Sequence, residues 1–429
     1  MSDPFKKDLQ YVKFSSYGFL KNLKLFEPFL ILFLLEKNMT FTLIGTLYAY
    51  REIMTNLLEV PTGVIADAFG RRRTMVQSFL AYIISFLIFF YASTFWLFML
   101  GMTFFAFGEA FRGGTHKAMI FEYLKMKGWQ DQRVAYYGHT RSWSQNGSAV
   151  SALIAAGIVF MSGRYDMVFL VSTLPYILNL FLMLSYPKEL DGDIHKTGGV
   201  RESLILVWKS LKITFMNTGA LRETTNVCIY DGFYNAVKDF LQPIIKSMAL
   251  ALPLLAFLHE KQRSAVLVGI VYFFIYLMTS QASRRSGAFS GHFEMLTTPL
   301  NLTMLGGFGI GILCGLSYLL GYNLTAILLF MGIFLLQNLR SPMSVAYVCD
   351  TVPYEILATS LSVRSLVTAC YTAIMAFAVG VLADHFGLGE ALMILALGLT
   401  LLTPLYWLKT GKGRPCEPLG ISESGSGTG

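Results

Sequence analysis

The sequence predicts an all-α polytopic membrane protein of about twelve transmembrane helices in two six-helix bundles. Composition is the first reason: 54% of the residues are hydrophobic, 14% are charged and mean hydropathy is +0.54, whereas soluble domains carry about 25% charged residues. The second is that apolar runs recur from Phe29 to Leu408 with only short polar breaks, which leaves no room for soluble domains joined by linkers. The third is that the longest polar stretch between runs, Tyr186 to Glu202, falls near the middle of the 429 residues.

A span needs roughly 20 mostly apolar residues to cross a hydrocarbon core about 30 Å thick. That ruler places segments near 19–37, 41–66, 74–92, 95–124, 133–161, 165–186, 219–257, 262–284, 296–320, 323–350, 355–383 and 388–408. The expected organisation is an N-terminal bundle over 1–186, a connector over 187–217, a C-terminal bundle over 218–412 and a disordered Ser/Gly-rich tail over 413–429. Within the connector, Leu204, Val207, Trp208, Leu211 and Phe215 recur at helical spacing beside Arg201, Lys209 and Lys212. That pattern predicts a helix lying in the membrane interface, with the first turns of segment 7 as the alternative.

A net charge of +8 occurs in nucleic-acid binders too, so the placement of the basic residues decides its meaning. Lys6, Lys7, Lys13, Arg71, Arg72, Arg73, Lys125, Lys127, Arg133, Lys188, Arg201, Arg284, Arg285, Lys409 and Lys412 fall in tails or loops that an even helix count puts on one side. Lys37, Arg164, Lys261 and Arg263 are nearly all that the opposite loops hold. The positive-inside rule therefore puts both termini in the cytoplasm of a multi-pass cell-membrane protein, and no nucleic acid is implied. Cys228, Cys314, Cys349, Cys370 and Cys416 stand singly, which argues against disulfides and metal clusters. The first ten residues, MSDPFKKDLQ, lead into a span without a cleavage site, so no removable signal peptide is expected.

Ionisable groups inside spans cost at least about 2.5–3.5 kcal/mol each and normally face a cavity or a partner. Glu27 precedes Pro28; Arg51, Glu52 and Glu59 lie in segment 2; Glu109, Arg112 and His116 follow in segment 4. Segment 5 carries Tyr137, Arg141, Ser144, Gln145 and Ser148 at i, i+4, i+7, i+8 and i+11, a stripe that cannot favourably face lipid. Segment 7 repeats the device with Asp231, Asn235, Lys238 and Gln242, with Asp239 alongside and Pro243 as a kink. Segment 10 adds Gln337, Asn338, Arg340, Ser344, Tyr347 and Asp350. Polar stripes from both halves point to a small-molecule site at the midplane between them. Each charge has an alternative as a packing ion pair, strongest for Glu109 with Arg112, one turn apart. Asp231, Lys238, Arg141 and Arg340 are the stronger cavity candidates, and His116 reads as a hydrogen-bonded packing residue. No nucleophile with its base, metal motif or phosphate-cradling loop appears, so no enzyme, cofactor or metal site is expected.

Between segments 2 and 3 stands GVIADAFGRRR, Gly63 to Arg73, which resembles the signature loop of the major facilitator superfamily. Gly63, Asp67, Gly70, Arg71 and Arg72 match; Ala68 departs where the pattern has a basic residue. The resemblance implies that these five residues bear on contacts between the halves in one conformation. A second copy at Ser280 to Gly287 keeps Arg284, Arg285 and Gly287 without an aspartate, and GVLADHFG at Gly380 to Gly387 echoes the loop as a helix cap between segments 11 and 12. Segment 5 lacks the glycine-proline motif of the drug/proton antiporters, and its small residues support close packing instead. Arg112 beside Gly113 and Gly114 is similar to the family's arginine-and-glycine helix. The resemblance, nearest a diverged drug-efflux-like branch, implies a monomeric secondary active transporter working by alternating access, with proton-coupled efflux as the expected mode. Import or antiport of an organic anion, or a receptor on the same scaffold, are the alternatives; Arg112, Arg141 and Arg340 would suit a carboxylate or phosphate.

Overall fold

The computed structural model describes residues 7–129, 132–191, 205, 216, 218–253, 256–351 and 354–409. Every regular element among them is helical, as lipid requires of a chain that must satisfy its backbone internally. The first half comprises α1 (Leu9–Lys21), α2 (Leu30–Glu36), α3 (Phe41–Phe69), α4 (Arg71–Tyr91), α5 (Phe95–Arg112), α6 (Thr115–Met126), α7 (Arg133–Ser162) and α8 (Met167–Leu184). The second half comprises α9 (Thr218–Val237), α10 (Leu241–Ala251), α11 (Glu260–Ser290), α12 (Thr297–Leu319), α13 (Asn323–Thr351), α14 (Tyr354–Phe386), α15 (Leu388–Leu401) and α16 (Thr403–Tyr406). Large apolar side chains such as Leu100, Phe181 and Phe274 are exposed, the lipid-facing surface of a twelve-span bundle. The interfacial helix expected near 204–215 lies, apart from Ile205, outside the described residues.

Three spans are discontinuous where uninterrupted helices were expected. The first starts ten residues earlier than predicted, with Asp8 capping α1 by accepting the Tyr11 amide at 2.8 Å. It then breaks before α2, with a 3₁₀ turn at Glu27–Phe29 built on Pro28. The fourth span breaks between α5 and α6 because Gly114 takes a left-handed φ of 73°, a conformation open to glycine at little cost. The seventh breaks at a 3₁₀ turn, Lys238–Phe240, ahead of Pro243. Pro243 has no amide to return to Asp239, so the proline reshapes the helix before it and does not end it.

The breaks in spans one and seven meet, and one side chain joins them. The buried Gln242 donates to the Glu27 carbonyl at 2.8 Å and accepts the Ile31 amide at 2.8 Å. A helix of one half thus satisfies backbone groups freed by a break in the other, in a region where water is scarce.

The halves also meet along α3 with α14 and along α7 with α11. The bundle has a terminal face, near Leu9 and Lys409, and an opposite far face. Inter-half contacts gather at the far face. There Asp384 of α14 accepts the Phe41 and Thr42 amides, at 2.9 and 2.7 Å, capping α3 across the interface. The glycine-aspartate echo thus caps a helix as expected, but one belonging to the other half. Gly45 and Gly380 lie where a Cβ would overlap the carbonyls of Ala376 and Phe41, so small residues set this close crossing. Lys261 pairs with Glu36, and Gln262 donates to the Phe160 carbonyl at 3.1 Å. Ala156 of the small-residue stripe meets Gly269 in the same layer.

Candidate functional site: a charged chamber between the halves

The breaks in spans one and seven converge on a cavity of about 210 Å³, and the break at Gly114 lines a second one. Its charged wall is Lys24 and Glu27 from the break in span one, Arg51 and Glu52 from α3, Glu109 from the last turns of α5, and Lys238 and Asp239 from the break in span seven. Phe26, Leu30 and Phe105 supply apolar surface. The charges are interleaved by sign. Lys24 stands 3.6 Å from Glu109, Arg51 stands 2.8 Å from Glu52, and Lys238 stands 3.6 Å from Glu27. Arg51 also lies over the Tyr48 ring, 4.7 Å from its centroid. The Glu27–Lys238 pair joins the two halves, so its energy depends on how they sit relative to each other.

Glu109 also accepts from Arg112, which donates a second bond to the Tyr82 hydroxyl at 3.1 Å. Arg112 lines a second cavity of about 210 Å³, bounded by α1, α6 and α7. Lys21, His116, Lys117, Tyr137 and Arg141 line it as well. His116 stacks on Tyr17 at 3.6 Å and its Nε2 lies 3.3 Å from the Tyr186 hydroxyl, a packed position.

The sequence-nominated residues divide by location. Glu27, Glu52, Glu109 and Lys238 line the chamber, and Arg112, Tyr137 and Arg141 line the second cavity. Gln145 is exposed on α7 and Asn235 is half-buried on α9; neither is among the residues of those two walls. Asp231 accepts from Gln337 at 2.9 Å and from Arg364 at 2.8 Å. Arg340 is fully buried and donates to the Leu300 carbonyl and to Asn226, with Tyr230 5.7 Å from its guanidinium. It is not among the residues of either cavity wall: its two terminal nitrogens bond the Leu300 carbonyl and Asn226 inside the second half, and its Nε is buried without a partner among the described residues. Asp350 belongs to α13, but its side chain lies outside the described residues.

In the signature loop, Gly63 and Asp67 fall in the last turns of α3, and their surroundings lie outside the described residues. Gly70 has a φ of 96° and packs against the Asp191 carboxylate. The Arg72 amide donates to Asp191 at 2.7 Å and its guanidinium donates to the Tyr186 carbonyl at 3.1 Å. Arg71 lies 3.6 Å from Glu122. Tyr186 and Glu122 belong to the first half, and Asp191 to the start of the connector.

Sequence reasoning passed over Lys24 and Arg364 and left Arg51, Asp239 and Gln242 unranked within their polar stripes. Lys24 lies three positions before Glu27, a helical-face spacing that was readable. Arg364 is a lone arginine in the middle of a 33-residue apolar helix, itself a signal for a buried partner. Gln242 carries no charge, and its role exists only once the two breaks are apposed.

The family model described as Major Facilitator Superfamily matches residues 19–362, well over half of the chain. The uncharacterized MFS-type transporter YxaM of Bacillus subtilis (strain 168) is 22% identical over 410 residues, covering 92% of this chain and 94% of that protein. Among solved structures, the nucleoside transporter NupG superposes with a TM-score of 0.74 at 12% identity, covering 94% of this chain and all of that one. A D-xylose-proton symporter gives 0.68 at 13% identity over 94% and 98% of the two chains. A POT family transporter in complex with 5-aminolevulinic acid gives 0.67 at 15% identity over 92% and 93%.

Proposed function

The chain belongs to the major facilitator superfamily, and we propose that this transporter is a proton-coupled secondary carrier of a small molecule, with the charged chamber as its coupling site. The observation that carries the reading is the Glu27–Lys238 pair. It sits where two helix breaks from opposite halves meet, beside a cavity with four carboxylates. A carrier that rocks its halves needs groups whose partners change between conformations, and broken helices at the midplane supply such sites. Carboxylates that trade a lysine for a proton couple the rocking to a pH gradient, a role supported by the fold shared with a D-xylose-proton symporter.

The proposed halves are 1–186 and 218–412, joined by 187–217 and followed by a tail over 413–429. Both termini are assigned to the cytoplasmic side of the cell membrane by the basic loops of the terminal face. On that assignment, the clustering of contacts at the far face favours an inward-facing state, and the Gly63 to Arg73 loop engages the second half when the terminal face closes. Export follows the loop's resemblance to the efflux branch.

The test is reconstitution into liposomes with a trapped pH-sensitive dye, an imposed pH gradient and a panel of amphipathic and polar compounds. At least one compound is expected to move with protons, and movement is expected to vanish in Glu27→Gln and in Lys238→Ala. A folded parent that moves neither protons nor any compound overturns the reading. Ligand binding without turnover would mark a receptor instead.

A further inference from the structure

The second cavity differs from the chamber in its charge balance. Lys21, Arg112, Lys117 and Arg141 line it, and no aspartate or glutamate does. In the chamber the four carboxylates Glu27, Glu52, Glu109 and Asp239 face the three cations Lys24, Arg51 and Lys238. Across the two cavities there are seven cations and four carboxylates, an excess of three positive charges.

The excess sits in the second cavity, and the partners of its cations show why. Arg112 is shared with Glu109. Lys117 is exposed and lies over aromatic faces, 5.5 Å from the centroids of Phe121 and Tyr137. Among the described residues, neither Lys21 nor Arg141 has a carboxylate within ion-pair distance. Lys21 is half-buried at the end of α1, where its own side chain cannot be fully hydrated. Arg141 is exposed, so the cost falls on Lys21: a partly buried cation without a carboxylate is costly unless an anion joins it.

We propose that this cavity binds the carboxylate or phosphate group of an organic anion, and that such an anion is the carried molecule. The inference rests on the carrier reading above. Lys21 approaches from α1, Arg112 from the end of α5 and Arg141 from α7, so the site surrounds the acid group from three helices. Arg112 offers a planar fork suited to a carboxylate or phosphate. The rings of Phe14, Tyr17 and Tyr137 form the apolar part of the wall, so an anion with an aromatic or apolar body gains contact area that inorganic phosphate lacks. Because Arg112 is bonded to Glu109 of the chamber, an anion in this cavity competes for the guanidinium and reaches the coupling carboxylates through a single side chain.

The experiment uses the full chain purified in uncharged detergent, with unfolding followed by a thiol-reactive dye that reports exposure of the buried Cys228 and Cys314. Phenyl phosphate and benzoate are titrated against benzyl alcohol, benzylamine and a matched ionic-strength control, with inorganic phosphate as competitor. Stabilisation by phenyl phosphate or benzoate alone, with apparent affinity lowered about tenfold in Lys21→Gln and in Arg141→Gln, supports the site. The inference is overturned if neither anion exceeds the salt control, or if both variants bind as the parent does. A lipid headgroup is the other source of this chemistry. Stabilisation by phosphatidylglycerol but not by phenyl phosphate or benzoate overturns the assignment of a carried anion. Proton-coupled flux of a neutral or cationic compound, with no anion binding, defeats this inference and leaves the carrier reading standing; anion binding without any flux in liposomes overturns the carrier reading and, with it, the assignment of a carried anion, and leaves only the binding site.

Discussion

Removing the Asp384 carboxylate tests the way the two halves are held at the far face. In the structure it accepts the first two amides of α3, at 2.9 and 2.7 Å, and both bonds span the interface. Each cap interaction is worth about 0.5–2 kcal/mol, and a carboxylate at a helix N-terminus adds about 0.3–1 kcal/mol at an exposed site. Asp384 is exposed, so the lower ends apply, and Asp384→Ala should withdraw about 1–3 kcal/mol from the state in which the far face is closed. That corresponds to about a 5–150-fold shift toward the state in which it is open. Asp384→Asn keeps an acceptor but loses the charge, and should fall between variant and parent. Spin labels at the exposed Met161 and Tyr322, one in each half, report the shift as a growing long-distance population. The exposed Cys349 and Cys370, together with Cys416, would first be replaced. If the distance distributions of parent and Asp384→Ala superimpose, the cross-interface cap does not hold the far face and the reasoning fails.

Other outcomes follow from the same geometry. Gln242→Leu leaves the Ile31 amide and the Glu27 carbonyl buried without their partner, at about 1–3 kcal/mol per group. It should lower the unfolding midpoint clearly in a dye-based melt, and an unchanged midpoint would refute the bridging role. Arg340→Met removes donors from the Leu300 carbonyl and from Asn226. Stability should fall by about 3–5 kcal/mol on the scale of broken buried networks, while the folded fraction keeps its ligand affinity; a selective loss of affinity would return Arg340 to the site. A double-mutant cycle on Glu27→Gln and Lys238→Met should give a coupling energy of about 0.5–3 kcal/mol in unfolding free energy, and additive effects would show that the pair does not join the halves. Gly45→Leu forces a side chain into the Ala376 carbonyl and should shift the Met161–Tyr322 distances as Asp384→Ala does; an unchanged distribution argues against a tight crossing there.

Much of the span layout is read directly along the chain. The expected segments at 41–66, 74–92 and 133–161 correspond to helices at Phe41–Phe69, Arg71–Tyr91 and Arg133–Ser162. Span length depends on bilayer thickness and local hydropathy, and both act on consecutive residues. The same holds for the presence of buried charges, since any ionisable residue inside an apolar run must be accommodated somehow.

What local sequence left open is which charges share a cavity and which are tied off. Glu27 and Lys238 lie more than a whole half apart along the chain, and Gln242 reaches back 215 positions to the Glu27 carbonyl. Arg340 and Arg141 look alike as arginines in polar stripes. Tertiary packing buries one among the carbonyls of α9 and α12 and leaves the other beside a cavity without a carboxylate. The breaks at Glu27–Phe29 and Lys238–Phe240 have local causes, yet their convergence on one chamber does not. Coulomb and hydrogen-bond energies depend on distances between side chains on different helices, and those distances exist only after the two bundles have packed. The sequence therefore determined the spans, their polarity and the fold they imply, while the packing of the halves decided which charges pair and which remain open to a ligand.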